Sequence, residues 1–115
     1  MGTRKVLLLE DDVTTRRIMK RLLAINGFNV LEACCLKEGF QLAIGNDWAL
    51  CDLMLPDGNG IELARYCRLT QPETKIGILT ATNDPAKIEE VQAFVPEVFY
   101  IKPIPVEELL AKLST

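Results

Sequence analysis

The sequence predicts an α/β fold: a parallel sheet with helices on both faces. Two observations carry this prediction. Short apolar runs alternate with helix-patterned segments along the whole chain, and the first run, Val6-Leu7-Leu8-Leu9, is apolar at every position, as a strand buried on both faces must be. Helices that follow such strands bury what the strands expose, and right-handed crossovers then keep the strands parallel.

The first run ends in acid at Glu10-Asp11-Asp12, and a helical pattern begins near Thr14. Ile18, Leu22 and Ile25 form its apolar side, Asp12 is a helix-terminus residue, and Gly27 stops it. A strand follows at Asn29 to Ala33, then a second helix from Leu36 to Ile44 that Gly39 weakens. Trp48 to Cys51 makes the third strand. A turn-rich stretch, Pro56-Asp57-Gly58-Asn59-Gly60, leads into a helix ending near Arg68, with Asp57 read as a turn residue. The fourth strand spans Lys75 to Leu79. Asp84-Pro85 then opens a helix in N-cap and first-turn positions. A last strand, Val98 to Ile101, precedes a helix from Val106 that carries Leu109, Leu110 and Leu113. Five strands thus alternate with five helices.

With 115 residues, 49% of them apolar, the chain suits one hydrophobic core, and residues 1–115 are expected to form a single domain. Sixteen acidic against 13 basic residues give no field that would draw in a nucleic-acid backbone, which argues against direct DNA binding. No apolar run approaches membrane-spanning length. After Met1-Gly2-Thr3-Arg4-Lys5 only four apolar residues precede the acids, too few for a signal-peptide core, and Val6 stands where myristoylation needs Ser or Thr. The four cysteines form no CxxC pair, and without histidine a zinc site would need all four. Cys51 and Cys67 fit apolar patterns as small buried residues in a reducing cytoplasm, whereas the adjacent Cys34 and Cys35 have no structural explanation in the sequence.

Polar residues fall just beyond the carboxyl ends of four predicted strands: Glu10 and Asp11, Asp52, Thr80, and Lys102. In open α/β sheets this is the edge where ligands bind. Taken singly, each residue has an ordinary explanation as a loop acid, a strand-end threonine or a solvated lysine. Carboxylates about 5 Å apart repel by roughly 3 kcal/mol per pair at an effective dielectric near 20, so the combination calls for a cation. Oxygen ligands with room for water and phosphate suit Mg²⁺. Lys102 and Thr80 add a point charge and a hydroxyl donor, which is equipment for a phosphoryl group.

Leu8-Leu9-Glu10-Asp11-Asp12, Asp52-Leu53-Met54-Leu55-Pro56-Asp57-Gly58-Asn59-Gly60, Leu79-Thr80-Ala81 and Phe99-Tyr100-Ile101-Lys102-Pro103 together resemble the motif segments of bacterial response-regulator receiver domains. The resemblance covers nearly the whole chain. It implies a flavodoxin-like, doubly wound five-stranded sheet of order 2-1-3-4-5. It also implies that Asp52 is the phosphoacceptor, a carboxylate nucleophile that forms an acyl phosphate with Mg²⁺ bound. Asp11 would ligate the metal directly, Glu10 through water, and Met54 by its backbone carbonyl. Lys102 would pair with phosphoryl oxygens, while Thr80 and Phe99 would form the switch. The alternative for Phe99 is an ordinary core aromatic. A cis Lys102–Pro103 peptide belongs to the same implication. The expected partners are a sensor histidine kinase or phosphotransfer protein and a downstream output domain or protein, in the cytoplasm; no specific dimer is predicted.

The Asp11-to-Asp52 interval is two or three residues shorter than the family usually has, which predicts a clipped second helix near Gly45-Asn46-Asp47. Met54 and Thr82, each two past a motif residue, offer no carboxylate or amide to orient water, so a long-lived acyl phosphate is expected. Two other readings compete. An aspartate-nucleophile phosphatase of the haloacid dehalogenase type needs a second Asp where Met54 stands. A degenerate receiver acting only as a protein-interaction module is opposed by the intact Asp11, Asp52, Thr80 and Lys102.

Overall fold

A computed structural model describes residues 3–115, so the reading of Met1-Gly2 lies outside the described residues. Five strands build the main sheet: β1 (Lys5–Leu9), β2 (Asn29–Ala33), β3 (Trp48–Cys51), β6 (Lys75–Thr80) and β7 (Val98–Ile101). They lie in the order β2-β1-β3-β6-β7, and every pair is parallel. That is the doubly wound arrangement expected. Two short strands, β4 (Met54–Leu55) and β5 (Gly58–Asn59), pair antiparallel in the stretch read as a turn-rich loop.

Period-two alternation divides the core between the faces. Val6, Leu8, Trp48 and Leu50 pack with Met19 and Leu23 of α1 (Val13–Ile25) and with Leu109 and Leu113 of α5 (Val106–Leu113). Leu7, Leu9, Ala49, Cys51, Ile76 and Ile78 face the other way, toward α2 (Leu36–Gln41), α3 (Ile61–Thr70) and α4 (Pro85–Phe94). Both sets are almost completely buried, which accounts for the uninterrupted apolar runs of β1 and β3.

Three elements depart from expectation. On α1 the buried positions are Met19 and Leu23, whereas Ile18 and Ile25 are more than half exposed, so the inward face is turned one residue from the predicted one. A residue step on a helix is about 100°, and Met19 fills the core as well as isoleucine would. Helix α2 stops at Gln41 rather than Ile44, which is the clipping that the short interval predicts. Helix α3 runs on to Thr70, two residues past Arg68.

Helix starts follow sequence chemistry. Asp12 caps α1 by accepting from the Thr15 amide at 2.9 Å, and Asp84 caps α4 by accepting from the Ala86 amide at 3.0 Å with Pro85 in the first turn. Asp57 does more than turn the chain. Its two carboxylate oxygens accept from the Leu36 and Lys37 amides at 2.8 and 3.0 Å, so the segment after β3 caps α2 across the fold.

Candidate functional site

The strand ladders continue one residue past β1, β3 and β7. Glu10 donates its amide to Ala33, Asp52 to Leu9, and Lys102 to the Thr80 carbonyl at 2.7 Å. Alternation therefore extends the row of Leu8, Leu50 and Tyr100 to Glu10, Asp52 and Lys102, all on the face that carries α1 and α5. These three side chains meet. The Lys102 ammonium donates to Glu10 Oε1 at 2.6 Å and to Asp52 Oδ2 at 3.1 Å. Asp52 Oδ1 accepts from the Met54 amide at 3.2 Å.

Glu10 and Asp52 are buried and Asp11 is exposed, yet one oxygen of each lies within 4.8 Å of the others. Burial raises the Glu10 pKa by more than the Lys102 hydrogen bond lowers it. For Lys102, burial alone would lower the pKa, but the Glu10 hydrogen bond and the Asp52 charge together raise it above the ordinary lysine value. Part of the cation that these carboxylates call for is thus Lys102 itself, which bridges two of them. Asp11 remains outside the bridge, on the solvent side, and adds an oxygen that Lys102 does not occupy. Three hard carboxylate oxygens, one from an exposed residue, fit the ligand chemistry of Mg²⁺, which keeps several waters.

Thr80 ends β6 in the row of Ile76 and Ile78, on the opposite face from Lys102. It is fully buried, and its Oγ1 accepts from the Thr82 amide at 3.4 Å. Among the described residues its hydroxyl donates to no protein acceptor. Phe99 shares that face and lies opposite Ile78, the residue two before Thr80. Tyr100 packs on the other face, as alternation requires. The Lys102–Pro103 peptide is cis. Met54 is exposed, while Thr82 accepts from the Asp84 amide at 3.2 Å and so helps to open α4.

One positioning residue escaped the sequence reading. Gly60 lies just before α3 with an ordinary helical φ of −59°, and a Cβ there would land on the carbonyl oxygen of Asp52. Glycine is needed for close approach, not for an unusual dihedral. The signal was its place at the N-cap of α3, where Ser, Thr, Asp or Asn is preferred; Asn59 supplies the cap instead, accepting from the Ile61 amide at 2.9 Å. A hollow of about 340 Å³ beside Asn46, Asp47, Gln71 and Glu73 lies at the other edge of the sheet and contains none of the predicted site residues.

The family model for the response regulator receiver domain matches residues 6–114. The "Cyclic di-GMP phosphodiesterase" of Thermotoga maritima is 33% identical over 109 residues, which are 95% of this chain and 30% of that protein. The "Response regulator ArlR" of Staphylococcus saprophyticus is 33% identical over 111 residues, 95% of this chain and 50% of its own length. This chain thus spans about half or less of these curated relatives. Among solved structures, a CheY-like receiver domain protein from Methanospirillum hungatei superposes with a TM-score of 0.90 at 23% identity, covering 98% of this chain and 92% of that one. The chemotaxis response regulator CheY4 of Vibrio cholerae gives 0.84 at 26% identity, with 98% of each chain covered. Fold, strand-edge residues and family match agree, and this chain belongs to the response regulator receiver domains of two-component systems.

Proposed function

We propose that Asp52 takes a phosphoryl group from a phosphohistidine of a sensor histidine kinase or phosphotransfer protein, and that the change is read on the face made by α4, β7 and α5. Receiver domains are regulatory, and they generally bind Mg²⁺ at an acidic pocket. The observation that carries the proposal is the convergence of Glu10, Asp11 and Asp52 oxygens within 4.8 Å, with the Lys102 ammonium on the nucleophile's own carboxylate.

Glu10, Asp11, Asp52 and the Met54 carbonyl are the groups proposed to hold Mg²⁺. When bound, the ion supplies positive charge for the phosphoryl oxygens. Asp52 attacks through a carboxylate oxygen, and an O–P bond forms as the donor's P–N bond breaks in line. The Met54 amide and Lys102 hold the Asp52 carboxylate in one orientation before transfer. Lys102 can exchange its carboxylate partner for a phosphoryl oxygen, because ammonium is a point charge with three donors. Thr80 contributes a hydroxyl whose proton no protein acceptor claims among the described residues. Its turn toward the phosphoryl group leaves space for Phe99, which sits on the same face.

Such a domain acts as a phosphoacceptor rather than an enzyme on outside substrates, and a cytoplasmic setting with an output domain or protein completes the proposal. Among the described residues no helix is long and apolar enough to cross a membrane. Incubation with acetyl phosphate and Mg²⁺, followed by intact-mass measurement, tests the reading. One phosphoryl increment is expected in the wild type and none in Asp52→Asn. Equal uptake by both proteins would overturn Asp52 as the acceptor, and none by the wild type would leave the interaction-module reading in its place.

A lifetime prediction follows from the residues around the nucleophile. Met54 is an exposed thioether, and the Thr82 hydroxyl already accepts from Asp84, so neither orients an attacking water. Met54→Asn is expected to shorten the acyl-phosphate half-life; an unchanged decay after donor removal would count against this account.

A further inference from the structure

The cysteines divide into two kinds. Cys51 and Cys67 are fully buried in the core, and burial pushes both thiols up. Cys34 and Cys35 are partly exposed where β2 gives way to α2. One ligand atom from each of Cys34, Cys35 and Glu38 lies within 4.8 Å of the other two.

We propose that Cys34, Cys35 and Glu38 form a second metal site, separate from the acidic pocket, that binds a thiophilic divalent cation, Zn²⁺. The expectation that zinc would need all four cysteines left out Glu38: two sulphurs and one carboxylate oxygen are a donor set that selects zinc over magnesium. Tetrahedral zinc with Zn–S bonds of about 2.3 Å places two sulphurs about 3.8 Å apart, within a small side-chain adjustment of the spacing present. Three protein ligands leave a fourth position for water, and the exposure of Glu38 puts that position toward solvent.

The ligands are held before any ion arrives. Neighbouring side chains of an extended strand diverge, yet these two sulphurs stay close, although Cys35 itself is extended at φ −155° and ψ 167°. Glu38 is fixed by accepting from the Cys34 amide at 2.8 Å, and Asp57 clamps the following Leu36 and Lys37 amides from the far side. The Cys35 thiol lies beside Asp57 and the Cys34 thiol beside Glu38. On binding, each metal–sulphur bond replaces an S–H bond, the two protons pass to solvent, and nothing is oxidised or reduced.

The test is titration of the whole reduced chain with Cd²⁺, a spectroscopic stand-in for zinc, in excess Mg²⁺. One equivalent with an ultraviolet sulphur-to-cadmium charge-transfer band, displaced by Zn²⁺, is expected. The double variant Cys34→Ser with Cys35→Ser should lose the band and at least the about 10- to 100-fold in affinity that even an outer partner is worth at metal sites. Glu38→Gln should weaken binding with the band kept, and Asp52→Asn should leave binding unchanged. A band that survives the double variant, or loss of binding in Asp52→Asn, overturns the proposal. So does alkylation of Cys34 and Cys35 in the wild type at a rate that Zn²⁺ does not slow, a measurement that needs no variant to fold.

Discussion

Lys102→Met is expected to lower the stability of the metal-free protein by about 2–3 kcal/mol near neutral pH, and Mg²⁺ should restore most of the loss. Removing one partner of a buried charge pair usually costs about 3–5 kcal/mol, and the partial exposure of Lys102 discounts that figure. The variant leaves Glu10 and Asp52 facing one another without the ammonium that bridges them. Mg²⁺ held at the acidic pocket as proposed would bind the folded form preferentially and stabilise it by mass action, more strongly where the carboxylates lack another cation.

The pH dependence has a definite sign. The raised Lys102 pKa means that its contribution is complete below the unfolded-state lysine value and is lost only as pH rises through the folded one, so the wild-type bridge is intact at neutral pH. Glu10 has a raised pKa through burial, so between its unfolded and folded values the native state binds the extra proton and stability falls as pH rises. Protonating Glu10 relieves the repulsion in Lys102→Met, and the penalty should shrink in mildly acidic buffer. Thermal melts of both proteins at two pH values, with and without Mg²⁺, measure all of this; equal Mg²⁺ shifts in wild type and variant would contradict it.

Gly60→Ala is expected to cost at least about 3 kcal/mol, or about 12–24 °C in Tm, and to depress phosphate uptake in whatever fraction remains folded. The added methyl meets the backbone of Asp52 rather than the end of a flexible side chain, so Asp52 or α3 must move. Gly45→Ala is the control. Gly45 has φ 81° and nothing within 4 Å of an added Cβ, so its penalty is conformational, about 1–2 kcal/mol, with uptake unaffected. Similar losses from both substitutions would mean that the close approach to Asp52 is not what Gly60 is there for.

The strand edge was legible in the sequence because apolar runs stop at polar residues. Glu10, Asp52, Thr80 and Lys102 each end a run, and alternation then decides which face each one joins. The Lys102 bridge was not legible: it spans 92 residues to Glu10 and 50 to Asp52, and no local pattern encodes which cation reaches a carboxylate first. Helix α1 carries apolar residues at both Ile18 and Met19, so periodicity alone could not choose the face that turns inward. Asp57 reads as a turn former because its partners, the Leu36 and Lys37 amides, come from an element about twenty residues earlier. Gly60 is hidden for a related reason, since close backbone approach leaves no mark on composition.

Adjacent residues of one strand point to opposite sides of a wall, and Lys102 and Phe99 lie three positions apart on such a strand and its extension. A tug on the ammonium from the carboxylate side is therefore a twist applied to the backbone that also carries the aromatic ring on the other side. In the proposed switch, detector and reporter would be separated by the thickness of a single sheet, with no relay through the packed interior needed to join them.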